Sequence, residues 1–228
     1  LAYTTVTSAS SDWIAHLKNT NNIFVGPSPF FTFLTTGYKN IAIGIDALSA
    51  TTTGSGNVSI GYQSLATNNT GSGNTAVGYN AGYFNLSGIN NTYIGNQCSG
   101  NTPCESNTVN LGNGAIKTLR CQAQTITSLS DKRDKKEIVS FETGLKLINE
   151  LNPVSFVWNS RDGSKQDTKD TGFIAQELLE AQMNANVSIP GLVDYSNSDK
   201  LEASYAKLIP VLVKAIQELS KEIEKLKK

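Results

Sequence analysis

A repeat of fixed period in the first half of the chain constrains the fold more than any other feature. The pattern Asn-x-x-aliphatic-Gly occurs at residues 22–26, 40–44, 57–61, 74–78 and 91–95, with a fainter copy at 108–112. From Gly44 to Gly112 the glycines lie 17 residues apart, and Gly26 precedes Gly44 by 18. Such a period indicates a solenoid or a fibre.

Each repeat unit predicts a short strand, a bend at the glycine and a polar turn such as Thr-Gly-Ser-Gly. The few aliphatic side chains expected to form the interior of the units are Ile43 with Leu48, Ile60 with Leu65, and Val77. They cannot offset the roughly 1 to 2 kcal/mol of backbone entropy that each ordered residue loses. Stability must therefore come from stacked units and neighbouring chains, so we expect an obligate oligomer.

The Asn-x-x-Ile-Gly unit resembles the trimeric β-roll heads of trimeric autotransporter adhesins and the repeats of phage and large-virus fibre proteins. The resemblance implies a homotrimer whose β-roll binds a host-surface receptor or glycan. An ordinary β-solenoid made by a single chain is the alternative interpretation.

Charge changes abruptly at Ser130. Only 4 of the 19 basic and 3 of the 19 acidic residues precede it, and the two signs balance over the whole chain. Neither half is a basic surface for nucleic acid, and no apolar run is long enough for membrane insertion. Cys98, Cys104 and Cys121 do not have the spacing of metal ligands, and His16 lies far from them, so we expect no metal and no cofactor.

The end of the chain carries a heptad pattern. The apolar residues alternate steps of four and three at Tyr205, Ile209, Leu212, Ile216, Leu219, Ile223 and Leu226. This pattern predicts a trimerisation helix over residues 201–228 that packs in a coiled coil, with Pro210 near its start. The alternative is that the stripe packs on its own chain.

The region between Ser130 and this helix predicts a mixed, mainly helical module. Residues 143–151 have helical spacing and end before Pro153, residues 154–158 form a strand, and residues 159–170 form a polar hairpin loop. A second helix opens within residues 172–178. The predicted fold class is therefore an all-β repeat followed by a mainly α domain that ends in a long coiled-coil helix.

Four motifs in this half carry a second resemblance. They are Ser-Asp-x-Arg-x-Lys-Lys-x-Ile, Leu-Asn-Pro-Val-x-Phe-x-Trp, Gly-Phe-Ile-Ala-Gln-Glu and Tyr-x-x-Leu-Ile-Pro-Val-Leu-Val-x-Ala-Ile-Gln-Glu-Leu. Together they resemble the endosialidase-type C-terminal intramolecular chaperone over residues 130–228. The resemblance implies a domain that trimerises, drives assembly of the preceding fibre and then cuts itself off. It implies a scissile bond between Leu129 and Ser130, with Ser130 as the nucleophile and Lys135 as the base.

A serine–lysine pair suits this chemistry because a serine hydroxyl must lose its proton to attack, and a neutral lysine can accept it. Nearby cations such as Lys132, Arg133 and Lys136 favour a neutral lysine. The substrate is the chain's own backbone, so the event is a single turnover helped by proximity. Asp131 and Arg133 are supporting residues that can orient the loop.

These predictions divide the chain into a β-roll at residues 1–113, a connector at 114–129 and a chaperone and autopeptidase domain at 130–228. The predicted function is a segment of a viral tail fibre or surface appendage in the virion, whose chaperone domain is released after homotrimer assembly. The alternative is a structural or adhesive trimer, such as a cell-surface adhesin, with a permanent C-terminal foot and an inert Ser130.

Overall fold

The computed structural model describes residues 3–5, 14–17, 21–26, 36–116, 118–120, 122, 128–161, 163 and 165–227. The chain divides into two compact units, Leu1–Lys117 and Thr118–Lys228. Cys121 and much of the predicted connector 114–129 lie outside the described residues. Within the described part, none of the helices combines the length and the apolar character that crossing a membrane requires.

The first unit is a β-solenoid. Strands β1 (Tyr3–Thr5), β2 (Ile14–Leu17) and β3 (Asn22–Val25) pair antiparallel, and from β3 onward every pairing is parallel. The parallel strands that follow are β4 (Ile41–Ile43), β5 (Val58–Ile60), β6 (Thr75–Val77), β7 (Thr92–Ile94) and β8 (Val109–Leu111). Equivalent repeat positions face each other, as Ile43 with Ile60 and Ile60 with Val77. The repeat predicted this architecture correctly.

The repeat glycine lets successive turns touch at the backbone. Gly61 has a φ of +128°, in the region that favours glycine, and a Cβ there would lie 2.4 Å from the carbonyl oxygen of Gly78. Gly44 and Gly78 have the same environment, with positive φ angles and the next repeat glycine against them. A side chain at this position would push the turns apart.

The repeat asparagine lies inside the solenoid, where it satisfies the buried backbone. The Asn57 side-chain amide donates to the carbonyl of Gly71 at 2.9 Å, which closes the turn. Its Oδ1 accepts from the backbone N–H of Asn74 at 2.9 Å, which ties one turn to the next. Asn40, Asn57 and Asn74 form one continuous buried ladder, because a buried amide is tolerated only when its hydrogen bonds are made.

The expectation that the repeat aliphatic side chains fill the interior is wrong for the strand residues. Ile43, Ile60 and Val77 point outward and are more than one-third exposed, whereas Leu48 and Leu65 are buried as expected. Side chains alternate along a strand, so an inward asparagine places the third residue inside and the fourth outside. The inward third residues are Phe24, Ala42, Ser59, Ala76 and Tyr93.

Tyr93 fills the interior near the end of the solenoid. Gly82 occupies the repeat position of Leu48 and Leu65, and a Cβ on Gly82 would lie 2.7 Å from the Tyr93 ring. Because Gly82 has no side chain, there is room for the Tyr93 ring. Burial of this ring raises the pKa of Tyr93 to about 12.

The cysteines of the solenoid are free thiols. Cys98 is buried and donates to the carbonyl of Asn110 at 3.0 Å, whereas Cys104 is exposed.

The described residues of the second unit form three α-helices, a hairpin and a small two-stranded sheet. Its elements are α1 (Leu145–Ile148), β9 (Val154–Asn159), β10 (Gln166–Gly172), α2 (Ala175–Asn184), β11 (Val193–Asp194), β12 (Glu202–Ala203) and α3 (Ile209–Leu226). Its core consists of buried residues from these elements and their connections, including Leu147, Leu178, Leu192, Leu208 and Val211. The predicted sequence of a β-solenoid and then a helical region that ends in a long helix is confirmed.

Several predicted boundaries in this unit are wrong. Helix α1 has a single turn, Leu145–Ile148, and does not span residues 143–151. The second half of the predicted loop 159–170 is part of strand β10, which pairs with β9. The last helix begins at Ile209 after a 3-10 turn at Tyr205–Leu208, not at residue 201. Residues 202–203 are instead held as a strand by pairing with Val193–Asp194.

Candidate functional site

Ser130 and Lys135 lie on either side of a short 3-10 turn at Lys132–Asp134. The Lys135 ammonium donates to Ser130 Oγ at 2.6 Å and to the Ser130 carbonyl oxygen at 3.2 Å. The structure therefore brings the predicted nucleophile and base into hydrogen-bonding contact, which is the separation that proton transfer requires. The catalytic roles of the two residues remain a prediction.

Asp131 caps this turn and thereby sets its shape. Its Oδ1 accepts from the backbone N–H of Arg133 at 2.8 Å, which is the bond of a helix N-cap. The Arg133 guanidinium adds two bonds to the same carboxylate, from Nε at 3.0 Å and from Nη2 at 2.7 Å. Two backbone bonds, from Asp134 to the Asp131 carbonyl and from Lys135 to the Lys132 carbonyl, complete the turn.

The Arg133 side-chain hydrogen bond, followed by the backbone bond, holds the pKa of Asp131 below its ordinary value of 3.8. The same pair raises the pKa of Arg133. The sequence predicts both residues as supporting residues but does not predict the cap. The signal that could have found it is an aspartate directly before a short polar turn, with an arginine two positions later.

The residues around this pair face solvent. Leu129, on the amino side of the predicted scissile bond, is 81% exposed, and Ser130 and Lys135 are exposed as well. Ile138 and Val139, a few residues further on, are also exposed apolar side chains. Within a single chain the pair is thus accessible to water and has exposed apolar residues on both sides.

Helix α3 has two apolar faces with different roles. Leu208, at its N-cap, together with Val211 and Ala215 packs against the chain's own module and is buried. Gly144 lies against the same face, since a Cβ on Gly144 would lie 2.4 Å from the backbone nitrogen of Ala215.

Polar contacts also join α3 to the start of the module. Glu218 accepts from the backbone N–H of Leu145 at 2.8 Å, and Lys214 forms an ion pair with Glu142 at 2.8 Å. These contacts fix the helix on its module.

The predicted heptad stripe lies on the other face of α3. Its helical members are 45–87% exposed: Ile209, Leu212, Ile216, Leu219, Ile223 and Leu226. The alternative that this stripe packs on its own chain therefore does not describe the structure. A regular row of exposed apolar residues on a helix is typical of a surface that packs against other helices.

Tyr205 differs from the rest of the predicted stripe. It lies in the 3-10 turn before α3, and its hydroxyl both accepts from the Phe173 backbone N–H at 3.1 Å and donates to the Phe173 carbonyl at 3.0 Å. Its ring packs edge-on against the Phe173 ring. Tyr205 therefore serves to join the start of the last helix to the end of β10.

A family model matches part of the second unit. Residues 130–188 match the family model described as chaperone of endosialidase, and the match begins at Ser130 and ends before α3. No curated protein and no solved structure matches the chain significantly. The match supports a chaperone role of the tail-fibre type and suggests a protein associated with phage tails.

Proposed function

We propose that this chain is a segment of a viral, phage-like tail fibre or appendage whose second unit assembles three copies and then removes itself by autoproteolysis between Leu129 and Ser130. The contact of 2.6 Å between Ser130 Oγ and Lys135 Nζ carries the proposal, since it lies where the family match begins. The solenoid and the exposed helical stripe agree with it.

In the proposed reaction, neutral Lys135 accepts the Ser130 hydroxyl proton while Oγ attacks the carbonyl carbon of Leu129. The Leu129–Ser130 C–N bond breaks, the Ser130 nitrogen takes up a proton, and an ester joins the Leu129 acyl group to Oγ. Water then hydrolyses the ester, which leaves a Leu129 carboxylate and restores the Ser130 hydroxyl. Attack on the adjacent peptide bond needs no diffusional encounter, so proximity supplies much of the rate.

The exposed position of the pair links cleavage to assembly. A lysine amine in water holds its proton, and removal of water by neighbouring protein favours the neutral form. The exposed apolar residues Leu129, Ile138 and Val139 offer contacts for neighbouring copies on both sides of the pair. We infer that Lys135 becomes an effective base only after the copies have come together.

Assembly itself is assigned to the exposed stripe of α3. Ile216 and Ile223 occupy a positions of this stripe, and Leu212 and Leu219 occupy d positions. In an isolated parallel coiled coil this combination favours two strands, so the number of copies is proposed from the tail-fibre type of chaperone that the family match supports and not from the stripe. The opposite face of the helix packs against its own module through the buried residues Val211 and Ala215. Each copy can thus join the bundle without unfolding its own core.

A repetitive fibre needs such a nucleus because its register is weakly specified. Turns that begin at Asn57 and Asn74 present nearly the same backbone and asparagine ladder, so a shift by one turn loses only one turn of contacts. A non-repetitive unit that trimerises first sets the register and lowers the entropic cost of bringing chains together. Its removal afterwards leaves a fibre that resists unfolding kinetically.

Sedimentation velocity of the uncut Ser130→Ala chain tests the assembly step. We expect a trimer, and we expect Ile216→Asp to weaken association by roughly 100-fold or more because each bundle would bury three unpaired carboxylates. The matched control is Gln217→Asp, which adds the same charge at the next, exposed position. A monomeric Ser130→Ala chain, or equal effects of the two variants, would contradict the proposal.

Cleavage separates this proposal from a permanent trimeric foot. Under the proposal, wild-type chains that have trimerised yield a fragment whose first residue is Ser130. A structural or adhesive trimer would assemble in the same way and remain uncut, so assembly without cleavage would favour that alternative.

A further inference from the structure

Two columns of apolar side chains run along the outside of the solenoid. The column at the fourth repeat position consists of Ile43, Ile60, Val77, Ile94 and Leu111, which are 37–51% exposed. The column at the sixth position consists of Ile45, Tyr62 and Tyr79, which are 41–48% exposed, and ends at Asn96. We call these eight apolar residues the Ile/Tyr face.

The two columns of the Ile/Tyr face are separated by a position that has no side chain. The intervening fifth position is the repeat glycine, for example Gly61 and Gly78, so a partner can approach the backbone between the two columns. The Tyr62 and Tyr79 rings are stacked, with centroids 5.4 Å apart and planes 7° from parallel. Rings already held in one orientation lose little side-chain entropy when they are covered.

The strands place their small residues inside and larger aliphatic residues on this outer face. In strands β4, β5 and β6 the inward residue is the small Ala42, Ser59 or Ala76, while Ile43, Ile60 or Val77 lies outside. The large aliphatic residues of the interior, Leu48 and Leu65, come from the turns after the strands. Burial of apolar area is the main favourable contribution to stability, and here the outer face holds most of the aliphatic area of the strands. A contiguous apolar face of this kind marks an interaction site.

We propose that the Ile/Tyr face binds a second copy of this chain, lying parallel with equivalent turns at the same height. None of its residues carries a charge, so two identical faces meet without repulsion. Parallel strands recur about every 4.8 Å, and a partner that presents apolar groups at the same spacing along the face is another copy of the same repeat. The proposal rests on the proposed homotrimer and adds the surface through which its solenoids meet.

Photocrosslinking in the uncut Ser130→Ala chain tests this surface. Tyr79 is replaced by p-benzoylphenylalanine, which retains an aromatic ring at that position. The control places the same residue at Phe84, an exposed aromatic in the same turn but outside the Ile/Tyr face. Irradiated protein is separated on denaturing gels, and crosslinked peptides are assigned by mass spectrometry.

With the crosslinker at position 79, we expect covalent dimers and trimers. Their crosslinks should join position 79 to the Ile/Tyr face of another copy, in the same or an adjacent turn. With the crosslinker at position 84, we expect none of these crosslinked species. A trimer by sedimentation that gives no such crosslinks, or gives them equally from Phe84, overturns this inference and leaves the proposed function standing. A chain that sediments as a monomer overturns both.

Discussion

Asp131 sets the contact between the two side chains on which the proposed chemistry depends. Its N-cap bond to the Arg133 N–H holds the turn that places Lys135 beside Ser130. Loss of this cap loosens the turn, so Asp131→Ala should slow cleavage roughly fivefold, while Asp131→Asn, which can still cap, should retain most of the rate. The measurement is the rate at which the 130–228 fragment appears by mass spectrometry.

Asp134→Ala is the matched control for that change, because it removes the same charge from the same turn without removing the cap. We expect it to cleave at nearly the wild-type rate. Cleavage of Asp131→Ala at the wild-type rate, or an equal loss in both variants, would show that the cap does not position the pair.

The pairing of Asp131 with Arg133 also predicts a titration. Since the folded-state pKa of Asp131 is lowered, its contribution to the stability of the turn is present above the ordinary value of 3.8 and is lost as pH falls through the lowered pKa. In Arg133→Ala the pKa of Asp131 should rise toward 3.8, because the first cause of the shift is removed. Carboxyl-carbon NMR of the Ser130→Ala chain measures both values, and an unchanged pKa would contradict the assignment.

At this scale the sequence could predict which residues belong to the candidate site but not what holds them. Ser130 and Lys135 were identified through the motif they share with a family. The cap could not be predicted with the same ease, since an aspartate in a charged run is usually solvated and only the local turn makes it a hydrogen-bond acceptor for Arg133. The structure adds this positioning role.

Among the elements, the repeat glycines make the stacking of solenoid turns possible. Gly61→Ala should strongly destabilise the fibre, by about 3 kcal/mol or more, because the new Cβ would lie 2.4 Å from the Gly78 carbonyl oxygen. Gly73→Ala is a matched control in the same repeat. Its φ is also positive, at +69°, but its nearest neighbouring atom lies 3.8 Å or more away, so we expect a cost of about 1 to 2 kcal/mol.

Denaturant unfolding of both variants in the Ser130→Ala background gives the two free energies. Equal destabilisation by Gly61→Ala and Gly73→Ala would mean that the positive φ, rather than the contact between turns, explains the repeat glycine.

The period of the repeat was enough to place the parallel strands, because a fixed spacing of glycines leaves few other ways to stack the chain. It was not enough to decide which side of each strand faces inward. Because side chains alternate along the strand, Asn57 and Ile60 cannot both point inward. Asn57 points inward because its side chain forms hydrogen bonds with the backbone of its own turn and of the next turn. The start of α3 was missed because strand pairing at Glu202–Ala203 overrides the helical pattern there.

In the molecule as a whole, we propose that the weakly charged repeat forms the fibre and that the charged second unit assembles it. One consequence concerns refolding. After complete denaturation and removal of the denaturant, uncut Ser130→Ala chains should recover their trimer, because the register-setting unit is still attached. Cleaved wild-type fibre should not, since the solenoid alone can pair out of register.

Sedimentation of the renatured material decides this prediction, with circular dichroism to verify that secondary structure has returned. The control is the cleaved fibre with the released module added separately. Full recovery of the cleaved solenoid on its own would contradict the assembly role of the second unit.

Intact mass under denaturing conditions shows whether Ser130 and Lys135 cut the chain between Leu129 and Ser130, as we propose. Freshly expressed wild type, Ser130→Ala, Lys135→Ala and Lys135→Arg would be incubated and measured over time. We expect two fragments, residues 1–129 and 130–228, in wild type alone, since arginine keeps its proton and cannot replace the base. An uncut wild type after prolonged incubation, or cleavage that persists in Ser130→Ala, would contradict the account.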